Sequence, residues 1–164
     1  MRSSKRMVLG GAMVVALAPL MIGVAGAATI VGDAGDNHLN GTAGADTIRA
    51  KAGDDVVHGL AGDDRIRGGK GADVLWGEGG ENLLDAGRDP RIDRLHGGPA
   101  ADTLYLFGRD RGWAGGGNDI VYGTYAQESM EIWCGPGVDR VVYNQPSPMV
   151  ELHDCEHVRV VSAG

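Results

Sequence analysis

The amino-acid sequence predicts an all-β protein built from short tandem repeats, and two observations carry this prediction. Residues 32–85 divide without a gap into six nonapeptides: GDAGDNHLN, GTAGADTIR, AKAGDDVVH, GLAGDDRIR, GGKGADVLW and GEGGENLLD. Each nonapeptide has glycine at position four, Asp or Asn at position six and an aliphatic residue at position eight. A fixed period of this kind is typical of solenoid proteins, in which each repeat packs only against its neighbours.

Each repeat is expected to form a turn followed by a short strand. Glycines at positions one and four suit positive φ, which a tight turn needs and a residue with a Cβ atom resists. In a three-residue strand only the middle residue points inward, so position eight should supply the core. One aliphatic side chain in nine residues is a thin core, because its burial returns less free energy than backbone ordering costs. Another stabiliser is therefore expected.

The pattern resembles the nonapeptide G-G-x-G-x-D-x-U-x of the repeats-in-toxin, or hemolysin-type, calcium-binding family, where U is a large aliphatic residue. The resemblance implies a parallel β-roll, which is a β-solenoid. In this fold six residues form a calcium-binding turn, three form a strand, and two nonapeptides complete one coil. The resemblance is strong over residues 32–85 and irregular afterwards.

If two repeats form a coil, position-six residues eighteen apart stack about 4.8 Å from one coil to the next. Neighbouring carboxylates at this spacing repel each other, and a divalent cation between them reverses the sign of the interaction. The alternative is that the acids are ordinary turn residues facing water. The expected metal-binding residues are Asn37, Asp55, Asp73 and Asp93 along one edge, Asp46, Asp64, Asn82 and Asp102 along the other, and Asp119.

Calcium is the expected ion, and several ions are expected. It takes about six to eight hard oxygen ligands in loose geometry, which carboxylates and turn carbonyls can supply. Magnesium prefers a near-ideal octahedron, and zinc prefers Cys or His ligands, which the turns lack. By resemblance to the family, the bridged pairs are Asn37 with Asp55, Asp46 with Asp64, Asp55 with Asp73, and Asp64 with Asn82.

The later repeats depart from the pattern. Residues 86–96 align if two extra residues are allowed, although Asp89 then replaces the glycine of position four, which argues against calcium there. Two further segments, 97–105 and 114–122, return to the pattern. Position six of these three copies is held by Asp93, Asp102 and Asp119.

Other segments of the second half are degenerate. Residues 106–113 are one residue short of a repeat and are expected to form a closing turn without metal. The next copy keeps only Glu128 and Met130 near the expected places, and residues 134–142 form a last copy with Asp139 at position six. Decay of this kind is typical of the terminal repeats that cap a solenoid.

The sequence therefore predicts a roll over residues 28–131 and a capping region over residues 132–164 that continues it. Cys134 and Cys155 both lie in the capping region. In a secreted chain an even pair of cysteines predicts a disulfide, and the alternative is two free buried thiols. The disulfide would close a loop of about twenty residues and contribute roughly 3 kcal/mol in the chain-entropy model.

Residues 1–27 have the features of a secretory signal peptide. A basic start is followed by an apolar stretch and by the small residues Ala25-Gly26-Ala27, which predict cleavage after Ala27. The alternative is an uncleaved membrane anchor, because the apolar stretch is just long enough to span a bilayer. Cleavage would make the protein extracellular, with no stable membrane association.

The charge of the chain disfavours nucleic acid and anionic membrane surfaces as partners. The formal net charge is −7, and removal of the three basic residues of the signal leaves 12 Lys and Arg against 22 Asp and Glu, or −10. Such a balance weakens attraction to polyanions and favours a cation as the partner.

No catalytic site is expected. The serines after the signal, which are Ser129, Ser147 and Ser162, do not stand in a nucleophile-elbow pattern. Regular stacking would assign the paired carboxylates to metal binding rather than to glycoside hydrolysis. His153 and His157 are four apart, as zinc ligands on a helix would be, but in a valine-rich end they are expected to be exposed polar residues.

Several aromatic and histidine residues are expected to point outward. Trp76, Tyr105 and Tyr122 all stand at position nine, where they form either a ligand-binding stripe or, as we favour, contacts between neighbouring coils. The sequence thus predicts a secreted protein that binds calcium between coils and folds on binding. The alternative is an extracellular interaction or adhesion module that uses the roll as a scaffold to bind carbohydrate, cell wall or protein. A hydrolase is a third hypothesis.

Overall fold

The computed structural model describes residues 26–124, 129–144 and 150–161, and this part of the chain is all-β. Consecutive strands alternate between two parallel sheets. The eight-stranded sheet contains β1 (Thr29–Val31), β3 (Thr47–Ala52), β5 (Arg65–Lys70), β7 (Leu83–Gly87), β9 (Thr103–Phe107), β11 (Ile120–Thr124), β13 (Arg140–Tyr143) and β15 (His157–Val160). The seven-stranded sheet contains β2 (His38–Asn40), β4 (Val56–His58), β6 (Val74–Trp76), β8 (Arg94–Gly98), β10 (Arg111–Gly115), β12 (Met130–Trp133) and β14 (Val150–His153).

Equivalent positions of the repeat lie next to each other in each sheet. Ile48 of β3 pairs with Ile66 of β5, which pairs with Leu84 of β7. The separation of eighteen residues means that two nonapeptides complete one coil. The predicted fold, a parallel β-roll, is thereby confirmed, with about seven coils.

Position eight forms most of the core, as the repeat predicts. Between the first and the last coil, the aliphatic side chains at position eight are at most 1 % exposed, and they are Ile48, Val57, Ile66, Leu75, Leu84, Leu95, Leu104, Val121, Ile132 and Val141. In the last coil, Leu152 is half-buried and Val158 is 44 % exposed. The prediction that only position eight points inward is wrong, however, because many strands extend beyond three residues and bring position one of the next repeat to the same face. The buried residues at position one that have a side chain are Ala50, Ala86, Leu106, Ala114 and Cys134.

The turns place positive φ angles at positions two and four, not at positions one and four. Position four behaves as predicted in the central repeats, with φ of 111° at Gly53 and 108° at Gly62, but Gly35 and Gly137 do not have a positive φ. At position two the angle is positive even where the residue is not glycine, with 87° at Lys51, 77° at Leu60 and 67° at Glu78. The glycines at position one are not in this region, so their selection has another cause, which is described below.

Replacing Lys51 by glycine should stabilise the protein, because glycine adopts a φ of 87° without the steric cost that a Cβ atom imposes. We expect a gain of about 1 kcal/mol, or roughly 3 °C in the thermal unfolding midpoint. The matched control is Lys70→Gly, which removes the same charge from an exposed position of β5 without a positive φ. An equal or larger gain from Lys70→Gly would show that charge, not backbone strain, is responsible.

The region 132–164 continues both sheets through β13, β14 and β15. The predicted disulfide is confirmed: it joins Cys134, which is fully buried, to Cys155. The segment with Pro146 and Pro148, the signal residues 1–25 and Glu128 lie outside the described residues. None of the described residues belongs to a helix that is long and apolar enough to cross a bilayer.

Candidate metal centre

Position-six residues line up in two rows, one beside each sheet, because each of them directly precedes a strand. Asn37, Asp55, Asp73 and Asp93 precede β2, β4, β6 and β8 of the seven-stranded sheet, and we call them the first row. Asp46, Asp64, Asn82, Asp102 and Asp119 precede β3, β5, β7, β9 and β11 of the eight-stranded sheet, and we call them the second row. All of them except Asn37, in the first coil, are buried.

Except in Asn37, one oxygen of each side chain has a hydrogen-bond partner in the preceding coil. The backbone N–H of Asp55 donates to Oδ1 of Asp73 over 2.9 Å, and that of Asp46 donates to Oδ1 of Asp64 over 2.7 Å. The same contact recurs along both rows, with distances of 2.7–3.0 Å between Asn37 and Asp119. These hydrogen bonds fix the orientation of each carboxylate along the axis of the roll.

The second oxygen of many of these carboxylates is buried and lacks a hydrogen-bond partner among the described residues. These atoms are Oδ2 of Asp55, Asp64, Asp73, Asp102, Asp119 and Asp139. A buried acceptor without a partner is costly, and a buried charge without one is more so. A row of such oxygens on the same side of successive turns is therefore a place where a cation would lower the free energy.

Position one is glycine because it faces these oxygens. A Cβ atom on Gly68 would lie 2.3 Å from Oδ2 of Asp73 and 2.8 Å from the carbonyl oxygen of Ala86 in the next coil. A Cβ atom on Gly59 would lie 2.4 Å from Oδ2 of Asp64. The glycine thus leaves room for a carboxylate oxygen and a carbonyl oxygen to approach the same point.

Three of the predicted residues differ from the rest. Oδ2 of Asp46 accepts hydrogen bonds from the N–H and hydroxyl groups of Thr42. Nδ2 of Asn82 donates to the carbonyl of Gly80 over 2.9 Å, and Oδ1 of the half-buried Asn37 accepts from the N–H of Asp33. Because these side chains already have hydrogen-bond partners, a cation beside them would stabilise the protein less.

Burial raises the pKa of several carboxyl groups in each row. The pKa rises to about 6 for Asp64, Asp73 and Asp119, to about 7 for Asp102 and Asp110, and to about 8 for Asp93. Loss of hydration is the largest cause, and neighbouring carboxylates add to it, since Asp55 raises the pKa of Asp73 and Asp119 raises that of Asp102. Without a cation, the folded roll therefore favours the protonated forms.

Stability in the absence of metal should consequently fall as the pH rises. A carboxyl group whose pKa is higher in the folded than in the unfolded state binds an extra proton on folding, so its contribution is complete below about pH 4 and is lost through about pH 6 to 8. The β-sheet signal of metal-free protein, followed by circular dichroism across this pH range, measures the effect as the fraction of folded protein. In saturating calcium the loss should disappear, because the ion replaces the protons. Metal-free stability that increases with pH would contradict the assignment.

The donors fit a hard cation bound by oxygen. No three His, Cys, Asp or Glu side chains converge on one point within the described residues, so turn carbonyls must supply further ligands. Carboxylate and carbonyl oxygens suit calcium, whereas structural zinc would require Cys or His. The partnerless oxygens of Asp64, Asp73 and Asp102, each beside a position-one glycine, are consistent with this donor set.

The rows contain residues that the sequence analysis did not include. Asp110, which belongs to the segment expected to be a metal-free closing turn, is buried in the first row, and Oδ1 accepts from the N–H of Asp93. Asp139 and Glu156 extend the second row, since the N–H of Asp119 donates to Asp139 and the N–H of Asp139 donates to Glu156.

The two rows end differently. Residues 106–113 are not a closing turn, because β10 pairs along β8 as a regular coil segment. Met130 was expected near position eight, but it stands at position six of the first row, and Ile132 takes position eight instead. Val150 pairs with Met130 in the last coil. The first row therefore becomes apolar after Asp110, whereas the second remains acidic to Glu156.

The outward aromatic residues fall on two separate sheets. Trp76 belongs to a stack of nearly parallel rings along the seven-stranded sheet, which we call the aromatic ladder. Its successive ring centroids are 6.2, 3.8, 4.5, 4.7 and 4.9 Å apart, and its members are His58, Trp76, His96, Trp113, Trp133 and His153. Tyr105 and Tyr122 stack on the other sheet at 5.0 Å. The favoured interpretation, contact between neighbouring coils, is thus correct.

The histidines do not form a zinc site in the described structure. His153 lies in the aromatic ladder on β14, whereas His157 begins β15 in the opposite sheet. His58 contacts Oε1 of Glu78 through Nδ1 over 2.7 Å. His38 and His96 also point outward, and both contact neighbouring rings.

The fold and these rows define a class of protein, a parallel β-solenoid with buried carboxylates in its turns. A family model described as the RTX calcium-binding nonapeptide repeat (4 copies) matches residues 22–57, 58–92 and 89–121. The matches cover more than half of the chain, which therefore belongs to this family of calcium-binding repeat proteins. Comparison with curated proteins and with solved structures gave no significant match.

Proposed function

We propose that this protein is a secreted β-roll that binds several calcium ions between its coils and folds on binding them. The observation that supports the proposal most strongly is the set of buried carboxylate oxygens without hydrogen-bond partners. Membership of a calcium-binding repeat family supports the identity of the ion. Because the repeat has a thin core and its buried acids repel each other, the ions would supply much of the folding free energy.

The proposed ligands are the nine predicted residues, with Asp110 and Asp139 added. Within the first row, ions would bridge successive turns between Asn37 and Asp110, including the pairs Asn37 with Asp55 and Asp55 with Asp73. Within the second row, they would bridge turns between Asp46 and Asp139, including the pairs Asp46 with Asp64 and Asp64 with Asn82. We expect the tightest sites where both neighbours are carboxylates with a partnerless oxygen, as at Asp55 with Asp73.

The proposed domain organisation follows from the sequence. Residues 1–27 are a cleaved signal peptide, residues 28–131 form the roll, and residues 132–164 form the capping region with the disulfide. The disulfide supports an extracellular location, because disulfides persist in oxidising compartments. We propose a non-catalytic role, since hydrogen bonds between coils hold the buried carboxylates in place.

The experiment that tests this function is a calcium titration of residues 28–164, followed by far-UV circular dichroism from a chelated start. A cooperative gain of β-sheet signal with calcium, and not with magnesium, is expected. A spectrum already complete in chelator would show that the core and the disulfide suffice. In that case calcium-driven folding would be wrong, and equilibrium dialysis would still show whether the ion binds.

A second candidate function is an extracellular interaction module that uses the calcium-loaded roll as a scaffold. A groove of about 410 Å³ beside the aromatic ladder favours it, because its lining is almost wholly apolar and includes Trp76, Trp113 and Pro99. The rings of the ladder stack on one another, so they present their edges to this groove. A uniformly polar surface would have favoured calcium binding alone.

A further inference from the structure

The outward side chains at position nine of the eight-stranded sheet differ in size and charge from one strand to the next. At position nine, Arg49, Arg67, Asp85, Tyr105 and Tyr122 are register neighbours on β3, β5, β7, β9 and β11. Asp85 is a short side chain between a long arginine and a planar tyrosine. The row therefore has a notch above Asp85, which belongs to a cavity of about 360 Å³.

One wall of the notch is the open face of Tyr105. The ring of Tyr122 stacks on the opposite face with centroids 5.0 Å apart and planes within 11°, close to the spacing of neighbouring strands. The stacking direction therefore runs along the row, and the other face of Tyr105 is turned toward Asp85. Tyr105 is 40 % exposed, and its register neighbour on that side is not aromatic. This ring is thus the open end of a two-ring stack.

The remaining walls are charged. Nε of Arg67 lies 3.5 Å from Oδ2 of Asp85, and Arg88 lines the same cavity. Two guanidinium groups and one carboxylate leave a net positive charge beside the tyrosine. Arg67 and Tyr105 are two strand spacings apart, about 9–10 Å, which leaves room for a flat ring in contact with both.

Further basic side chains continue from the notch across β3 and β5. Arg49, Lys51, Arg65 and Lys70 are exposed, and none has an ion pair within 4 Å in the described ranges. We call these four residues, with Arg67, the basic face. It is a local feature on a chain whose formal net charge is −7.

We propose that the notch and the basic face bind a linear acidic polysaccharide, with a uronic acid ring in the notch. The sugar ring would stack on Tyr105, its carboxylate would pair with Arg67 and Arg88, and its hydroxyl groups would donate to Asp85. Acidic residues further along the polymer would lie over Arg49 and Arg65. The carboxylate of Asp85 favours a ligand rich in hydroxyl groups over a phosphate backbone, which it would repel.

Titration calorimetry of the calcium-loaded protein with a hyaluronan hexasaccharide tests the proposal. Cellohexaose serves as a neutral oligosaccharide of the same length, and a single-stranded oligonucleotide serves as another polyanion. We expect binding of hyaluronan that weakens with salt and is tighter than binding of either control. Absence of hyaluronan binding at millimolar concentration, or binding of the oligonucleotide at equal strength, would overturn the proposal.

Variants locate the site. Arg67→Gln and Tyr105→Ala should each weaken hyaluronan binding about tenfold, because each removes a charge-assisted or stacking contact. Asp85→Asn should strengthen binding of the oligonucleotide, since the substitution keeps the shape and removes the charge that repels phosphate. The matched control is Arg94→Gln, an exposed arginine on the opposite sheet, which should leave binding unchanged.

The results for these variants can support or reject the proposed site. Equal weakening by Arg94→Gln, or full-strength binding by Arg67→Gln and Tyr105→Ala, would show that no such site exists. Circular dichroism in calcium confirms that each variant is folded, and Tyr105→Leu replaces Tyr105→Ala if packing is lost. The proposal depends on the folded roll and not on which residues bind calcium, so its failure leaves the proposed calcium function untouched.

Discussion

Replacing Asp73 with asparagine should stabilise the protein in chelator and destabilise it in calcium. Oδ2 of Asp73 is buried without a partner, whereas Nδ2 of Asn82, at the same position of another repeat, donates to Gly80. An asparagine at residue 73 could keep the hydrogen bond from Asp55 and donate to the turn in the same way. Without metal, the gain should be about 1–3 kcal/mol near pH 8, because a buried unpaired charge is removed.

In saturating calcium, Asp73→Asn should lower the stability of the protein instead of raising it. A site saturated at a hundred times its dissociation constant contributes about 2.7 kcal/mol, and loss of one carboxylate ligand would remove much of it. The β-sheet signal by circular dichroism in chelator measures the first effect as the fraction of folded protein, and the thermal unfolding midpoint in saturating calcium measures the second. The reciprocal variant, Asn82→Asp, should show the opposite pair of changes. If Asp73→Asn changes the folded fraction in chelator and the midpoint in calcium in the same direction, the residue has no role specific to the ion.

The second large effect is expected at position four. Gly62 has a φ of 108°, and a Cβ atom on it would lie 2.5 Å from the carbonyl carbon of Gly44 and 2.7 Å from the nitrogen of Ala45. Gly62→Ala therefore combines backbone strain with a clash against backbone that cannot move aside. We expect a loss of about 3 kcal/mol or more, visible as a lower denaturation midpoint in calcium.

The matched control is Gly35→Ala at position four of the first repeat. The nearest atom to its added Cβ would be Oδ1 of Asp33 at 3.6 Å, and Gly35 does not have a positive φ. This variant should change stability by less than about 0.5 kcal/mol. Similar losses at both glycines would show that neither the positive φ nor the close stacking of the coils explains the need for glycine at residue 62.

The sequence predicts this fold well because the periodic residues have physical roles that do not depend on distant contacts. Position eight is buried in the coils between the first and the last, and position six forms two rows. The parallel pairing of repeats eighteen apart follows once two repeats are assigned to a coil. The φ angles at Lys51 and Leu60 could not be predicted, since nothing in these residue types indicates positive φ.

The second half of the chain was harder to predict because insertions and deletions shift the register. Asp110 follows Asp93 by 17 residues, and Gly112 replaces the aliphatic residue of position eight, so neither usual signal is present. The remaining sign that this segment is a repeat was Trp113, a tryptophan at position nine like Trp76. Trp76 and the two tyrosines were also considered as one stripe, although repeats of opposite parity lie on different sheets.

The disulfide gives the folding of the roll a preferred direction along the chain. In a one-dimensional array each coil depends mainly on its neighbours, so order can spread from whichever end is formed first. Cys134–Cys155 restrains the C-terminal coils whether or not calcium is present, whereas no disulfide restrains β1 and β2 at the other end. A coil that forms next to the restrained end packs on an ordered neighbour, so it does not require a new nucleation step. Calcium should therefore order the coils one after another from the C-terminal end, and chelation should unfold the coil that contains β1 first.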